Sequence, residues 1–146
     1  MKGKAIKRMG VLVLVIACVA GCATSGKGPS DAESIKALLA SWNAALLEKN
    51  TDKIMATYAE EFSHDGYEYQ AANKADLRKF IDDCNRAGYF DGLQIALTDV
   101  VPAIKGDTAT ISGIRGDNYQ GTVTIGLTAK KDKTGWLITD MTIEGL

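Results

Sequence analysis

Tyr119-Gln120-Gly121-Thr122-Val123-Thr124-Ile125-Gly126-Leu127-Thr128-Ala129 decides the fold class of this 146-residue chain. Val123, Ile125 and Leu127 alternate with Thr122, Thr124 and Thr128, the period-2 pattern of a strand with one buried and one wet face. β-Branched residues are frequent on both sides of it. Four strands are expected, at about 93–104, 108–115, 119–129 and 136–143. Between them lie Lys105-Gly106-Asp107, Gly116-Asp117-Asn118 and the cluster from Lys130 to Gly135, each rich in turn formers.

Upstream of Gly88 the period is helical. Ser30 and Glu33 have capping-box spacing, and Ile35, Leu38, Leu39, Trp42, Ala45 and Leu46 then fall on one stripe of a helix of about five turns. Asn50-Thr51-Asp52 breaks the chain. A shorter helix follows, carrying Ile54, Met55 and Tyr58 and expected to end near Glu61. Residues 62–69 read as an irregular strand interrupted by Gly66. Asn73 caps a third helix with Asp76 at its third position, Leu77, Phe80, Ile81 and Cys84 on its buried face, and Gly88 at its end. Helices first and antiparallel strands last predict an α+β fold, with three N-terminal helices packed on one face of a curved antiparallel sheet.

Trp42-Asn43-Ala44-Ala45-Leu46, then Asp52, Ile54 and Tyr58-Ala59-Glu60-Glu61-Phe62, resemble the opening helices of the nuclear transport factor 2-like superfamily. The later capped helix, the Gly106-Asp107 turn and Gly135-Trp136-x-Ile138 fit the same pattern, so the resemblance covers residues 31–146. It implies a cystatin-like cone, a bent sheet wrapped around helices and open at one end into an apolar pocket. That superfamily includes ketosteroid isomerases, cyclases, dehydratases and binding domains, so fold does not give function. A ketosteroid isomerase uses an aspartate base, a tyrosine and a protonated aspartic acid. The resemblance lays the tyrosine position on Trp42, the base on Gly66 and the second acid near Gly126, so that constellation is not retained.

The beginning of the chain reads differently from the rest. Lys2, Lys4, Lys7 and Arg8 precede an apolar run from Met9 to Ala20, the layout of a secretory signal peptide. At 12 residues the run falls short of the ~20 needed to span a bilayer. Val19-Ala20-Gly21-Cys22 resembles the lipobox of bacterial lipoproteins, which implies cleavage before a diacylated Cys22. Val15-Ile16-Ala17-Cys18 is a weaker match, placed inside the run. The expected organisation is a signal peptide at 1–21, a flexible tether at 22–30 and one domain at 31–146. Acyl chains would anchor the protein in a membrane without any spanning helix. Ala23, where an aspartate would retain a lipoprotein at the inner membrane, implies the periplasmic face of the outer membrane.

Residues 1–21 hold four of the 17 Lys and Arg and none of the 18 Asp and Glu. The mature chain therefore carries 13 against 18, a net charge of −5. A mildly acidic surface without basic runs argues against nucleic acid and against anionic lipid headgroups as partners. Once Cys18 is removed and Cys22 lipidated, Cys84 stands alone on an apolar helix stripe, so no internal disulfide is possible and a buried, inert thiol is expected.

The candidate pocket residues are Trp42, Tyr58, Phe62, His64 and Phe80. Strand alternation puts Phe62, His64 and Gly66 on one face, which the resemblance turns toward the pocket. His64, the single histidine, is the candidate catalytic base, weighed against a histidine hydrogen-bonded inside the cone or at its rim. Without carboxylates at ligand spacing it makes a poor metal site, so neither metal nor cofactor is expected. Three classes of function remain: a non-catalytic module holding a small apolar ligand, an assembly lipoprotein pairing through its sheet, and a cyclase- or dehydratase-like enzyme using His64. The resemblance also implies a homodimer through the outer face of the sheet.

Overall fold

Ser30 starts the first helix as its spacing predicts. In a computed structural model that describes residues 28–146, the Ser30 hydroxyl accepts from the Glu33 amide at 3.3 Å, and the Ser30 amide donates to the Glu33 carboxylate at 2.7 Å. Helix α1 (Asp31–Leu47) buries Ile35, Leu39, Trp42, Ala45 and Leu46, with Leu38 half-buried at the edge of the stripe. The expected signal peptide at 1–21 and Cys22 lie outside the described residues. Among those residues, no helix is long and apolar enough to cross a membrane.

Helix α2 (Thr51–Met55) is shorter than its apolar spacing suggests. Tyr58 leaves the helical path because its backbone bridges to Ile138, with the Ala59 amide donating to Ile138 O at 2.8 Å and the Ile138 amide to Thr57 O at 2.9 Å. Tertiary pairing thus overrides a helical period at 57–59. The irregular strand contracts to β1 (His64–Asp65) and β2 (Gln70–Ala71), an antiparallel pair around the turn at 66–69. Helix α3 (Lys74–Arg86) is capped by Asn73 and ends at Gly88, whose φ of +83° suits a residue without Cβ.

The sheet runs β3 (Gln94–Ala96), β5 (Thr108–Asn118), β6 (Gly121–Asp132) and β7 (Gly135–Glu144), with β4 (Ala103–Lys105) also pairing β5. The single strand expected at 93–104 is two pieces, β3 and β4, set along opposite halves of β5. Pro102 cannot donate to a ladder. Opposite the break, β5 carries a bulge: Ser112 and Gly113 face the single residue Gly126 of β6, with Gly113 at φ +72°. A second bulge inserts Thr139 into β7. Bulges bend and twist a sheet, and these two curl it around the helices.

Gly116-Asp117-Asn118, expected to turn, is strand. The β5–β6 turn is Tyr119-Gln120, fixed by Asn118 Oδ1, which accepts from the amides of Gln120 at 2.8 Å and Gly121 at 3.0 Å. The asparagine side chain takes over the turn's amides, so the chain need not turn earlier. The core fills the concave side, where Trp42, Tyr58, Phe62, Ile111, Ile114 and Ile138 are almost wholly buried. Each such side chain stabilises the fold by about 1.5–3 kcal/mol relative to exposure.

Candidate functional site

The concave side of the sheet and the inner stripes of α1 and α3 leave a cavity of ≈ 60 Å³ between them. Trp42 and Leu46 reach it from α1, Phe80, Ile81 and Cys84 from α3, and Val123, Ile125 and Met141 from the sheet. Tyr89, Phe90, Asn118 and the side chain of Leu146 meet at the same lining. Polar atoms are few. Trp42 Nε1 donates to Tyr58 Oη at 2.9 Å, and Tyr58 donates onward to Met141 Sδ at 3.3 Å. Burial pushes the Tyr58 phenol far above its ordinary value, more strongly than its bond from Trp42 lowers it. The Cys84 thiol is pushed up to about 11, chiefly by burial, and is poorly suited to nucleophilic work near neutral pH.

Of the five candidate pocket residues, Trp42, Tyr58 and Phe80 line this cavity. Phe62 and His64 lie outside the lining. Phe62 packs edge-on against Tyr58 at 5.2 Å and belongs to the core. His64 belongs to a separate stack at the edge of the sheet. Its ring lies 4.4 Å from that of Tyr69, and Tyr69 lies 4.2 Å from Phe80, so Phe80 is the partition between stack and cavity. The lost side chain at Gly66 is what admits the histidine: a Cβ there would stand 2.1 Å from His64 Nε2.

His64 Nδ1 donates to Asp140 Oδ1 at 2.7 Å, an acid 76 residues away on β7. This bond fixes the ring and, in the neutral imidazole, leaves Nε2 as the acceptor. Asp65, the sequence neighbour, instead accepts from Gln70 Nε2 at 3.0 Å. Asp140 was not foreseen, although β7 carries a signal for it. The apolar spacing runs Trp136, Ile138, Met141, Ile143, and the gap of three marks the Thr139 bulge that turns Asp140 toward β1. Tyr69 closes the group by donating to Met141 O at 2.5 Å, and burial, with Tyr58 and Asp140 adding to it, raises its phenol far above the ordinary range. Arg115 holds Asp117 on the wet face of the sheet and lowers that carboxyl to about 2. Among the described residues, no three His, Cys, Asp or Glu side chains converge as metal ligands would.

No protein-family model and no curated sequence matches the chain. Solved structures do. One is a protein of unknown function with a cystatin-like fold from Nostoc punctiforme PCC 73102, at 19% identity over 77% of this chain and 88% of that one, with a TM-score of 0.64. Another is a nuclear transport factor 2-like protein of unknown function from Pseudomonas putida KT2440, at 15% identity, 83% and 90% coverage, and the same TM-score of 0.64. The fold is nuclear transport factor 2-like. A candidate ketosteroid isomerase from Shewanella frigidimarina NCIMB 400 also matches, at 17% identity, 79% and 98% coverage and a TM-score of 0.64. At these identities the likeness is one of fold. Within this nuclear transport factor 2-like cone, the positions laid on Trp42 and Gly66 hold an indole bonded to Tyr58 and the backbone beneath His64, and Gly126 sits opposite the β5 bulge.

Proposed function

We propose that the chain is a lipid-anchored protein of the bacterial cell envelope whose nuclear transport factor 2-like cone holds a small apolar ligand without transforming it. The observation that carries the ligand-binding part is the character of the lining. It is aliphatic and aromatic, with only Asn118 and the tyrosine hydroxyls to orient an occupant, and no carboxylate or histidine side chain among the described lining residues. Such a surface recognises an apolar chain and offers nothing to move a proton. Ligand pockets usually measure ~300–1,000 Å³, so a cavity of ≈ 60 Å³ admits only a chain end unless Tyr89, Phe90 and Leu146 turn outward. The anchor rests on the basic start, apolar run and Val19-Ala20-Gly21-Cys22 order, and the acidic mature chain suits a partner other than nucleic acid.

Two experiments test the two halves. Amide chemical shifts titrated with decanoate should move at Trp42, Phe80, Cys84 and Val123, and Ile125→Trp, which fills the cavity, should abolish the response. Shifts confined to the outer face of the sheet or to the turn after Lys130 would transfer the function to a protein partner. Separately, Cys22→Ser should release the protein from the membrane fraction. An unmodified Cys22 in the wild-type protein would end the anchoring proposal.

A second reading has one observation in its favour. His64, oriented by Asp140 with Nε2 as acceptor, has the arrangement of a general base, which is the cyclase- or dehydratase-like alternative. Phe80 and Tyr69 separate it from the cavity, so a substrate would have to approach from the β1–β2 turn. Decanoate shifts unchanged by His64→Ala would keep histidine and ligand apart and leave the binding reading in place.

A further inference from the structure

A second opening lies on the flank of α1, outside the cone. Where Pro102 and the β5 bulge interrupt the sheet edge, the connector 97–102 stands away from α1 and leaves an open groove of about 580 Å³. Ala32, Lys36 and Ala40 line it from the first turns of the helix, and Leu97, Val101 and Pro102 from the connector. Val101 is 83% exposed and Ile104, just beyond on β4, 38%. Single exposed aliphatics are ordinary on soluble proteins. These adjoin an apolar groove, which makes a continuous patch.

The start of α1 says what meets that patch. Ala32, the second residue of α1, already forms part of the groove wall, so the described chain enters α1 beside the groove. Residues 23–30 span at most about 29 Å, at ~3.6 Å for each of eight residues. With Cys22 in a bilayer, as proposed above and on which this inference rests, the groove is held at an effective concentration on the order of mM at the membrane surface. A face too weak to bind membranes from free solution is then sufficient.

We propose that the flank formed by α1 and the 97–102 connector is a membrane-docking face that seats on the phospholipid bilayer. Val101, Pro102 and Ile104 enter the acyl boundary, and Lys36 lays its methylenes along the groove with its ammonium left in water. The mature chain carries a net charge of −5, so long-range attraction to anionic lipid is not what brings the face down. The tether does that, and the contact is apolar and insensitive to salt. Docking in this way turns the cone side-on to the bilayer instead of leaving it to tumble at the end of its tether.

The test uses the full-length, membrane-purified protein in phosphatidylcholine vesicles with acyl-brominated phosphatidylcholine, in a Cys84→Ser background. An environment-sensitive dye is placed through Val101→Cys, and in a control through Tyr119→Cys on the β5–β6 turn, which is 85% exposed. At position 101 the dye should shift to the blue and be quenched by the brominated chains, equally at low and high salt. At position 119 it should do neither. Val101→Asp should abolish quenching of a dye at Ile104→Cys while the protein still floats with the vesicles. Flotation with a water-like, unquenched dye at 101 would overturn the docking face and leave the anchor standing. Loss of flotation itself would remove anchor and docking together. A dye shielded without quenching, and only at high protein concentration, would show a second copy in the groove and overturn the proposal.

Discussion

Tyr58 and Tyr69 link the cavity wall to the His64 stack, and their chemistry sets a measurable limit on the fold. Both phenols titrate far above 10 in the folded protein because burial disfavours the phenolate. In the unfolded chain both ionise near the ordinary phenol value of 10.0. Above that pH the unfolded chain binds fewer protons than the folded one, so stability is fully present below pH 10 and falls as pH rises through it. Each tyrosine contributes up to about 1.4 kcal/mol per pH unit. Urea unfolding from pH 8 to 11.5, in a Cys84→Ser background because the buried thiol loses stability over the same range, should therefore show a decline that Tyr69→Phe roughly halves. A wild-type curve flat across that range would show that the phenols are not held in apolar surroundings. Tyr58→Phe changes the picture even at neutral pH, because it strands the buried Trp42 N–H at a cost of about 1–3 kcal/mol. At this scale the helix-borne residues were legible, since Trp42 and Phe80 follow from period alone. The Asp140 partner of His64 was not, because a single-residue bulge reverses which side of a strand faces the neighbour.

The elements divide along the same line. Helices α1 and α3 carry their own start signals, Ser30 with Glu33 and Asn73, and local hydrogen bonds satisfy both. The end of α2 depends on Ile138, about eighty residues later, and no local pattern encodes it. Sheet curvature lies between the two cases. On β5 the buried residues run Ala109, Ile111, then Ile114, a gap of three at Gly113, so the bulge is written in the spacing once strand and glycine are considered together. Gly113 tests whether that bulge determines the curl. A Cβ there meets nothing within 4 Å, so any penalty is one of backbone conformation alone. At φ +72° an L-residue is strained, and Gly113→Ala should cost about 1–2 kcal/mol in urea unfolding, with Gly113→Val costing more. A neutral Gly113→Ala would mean that the bulge relaxes and the sheet bends elsewhere.

At the scale of the whole molecule, Trp42 and Trp136 report on opposite ends of one core. Trp42, 1% exposed, lies in the cavity wall. Trp136, 6% exposed, sits at the start of β7 with its indole N–H donating to Asp31 Oδ1 at 3.1 Å, which ties the first residue of α1 to the last strand. Lys131 donates to the same carboxylate oxygen at 2.7 Å, and these two bonds, the lysine's first, hold Asp31 below the ordinary carboxylate range. If this is one cooperative core, Trp42→Phe and Trp136→Phe should each leave a single tryptophan with blue native emission, and both should shift red at the same urea concentration. Acid should separate them. A carboxyl whose folded value is lowered contributes stability above its unfolded value of 3.8, and that contribution is lost as pH falls below it. The Trp136 end should therefore loosen first between pH 4 and 3, with Trp42 following only at global unfolding, and Asp31→Asn should remove the difference by making the Trp136 signal independent of pH in that window. Red emission from either tryptophan in native buffer, or separate urea midpoints at neutral pH, would mean that α1 and the final strand do not share a core. Helix α1 would then be able to leave the sheet.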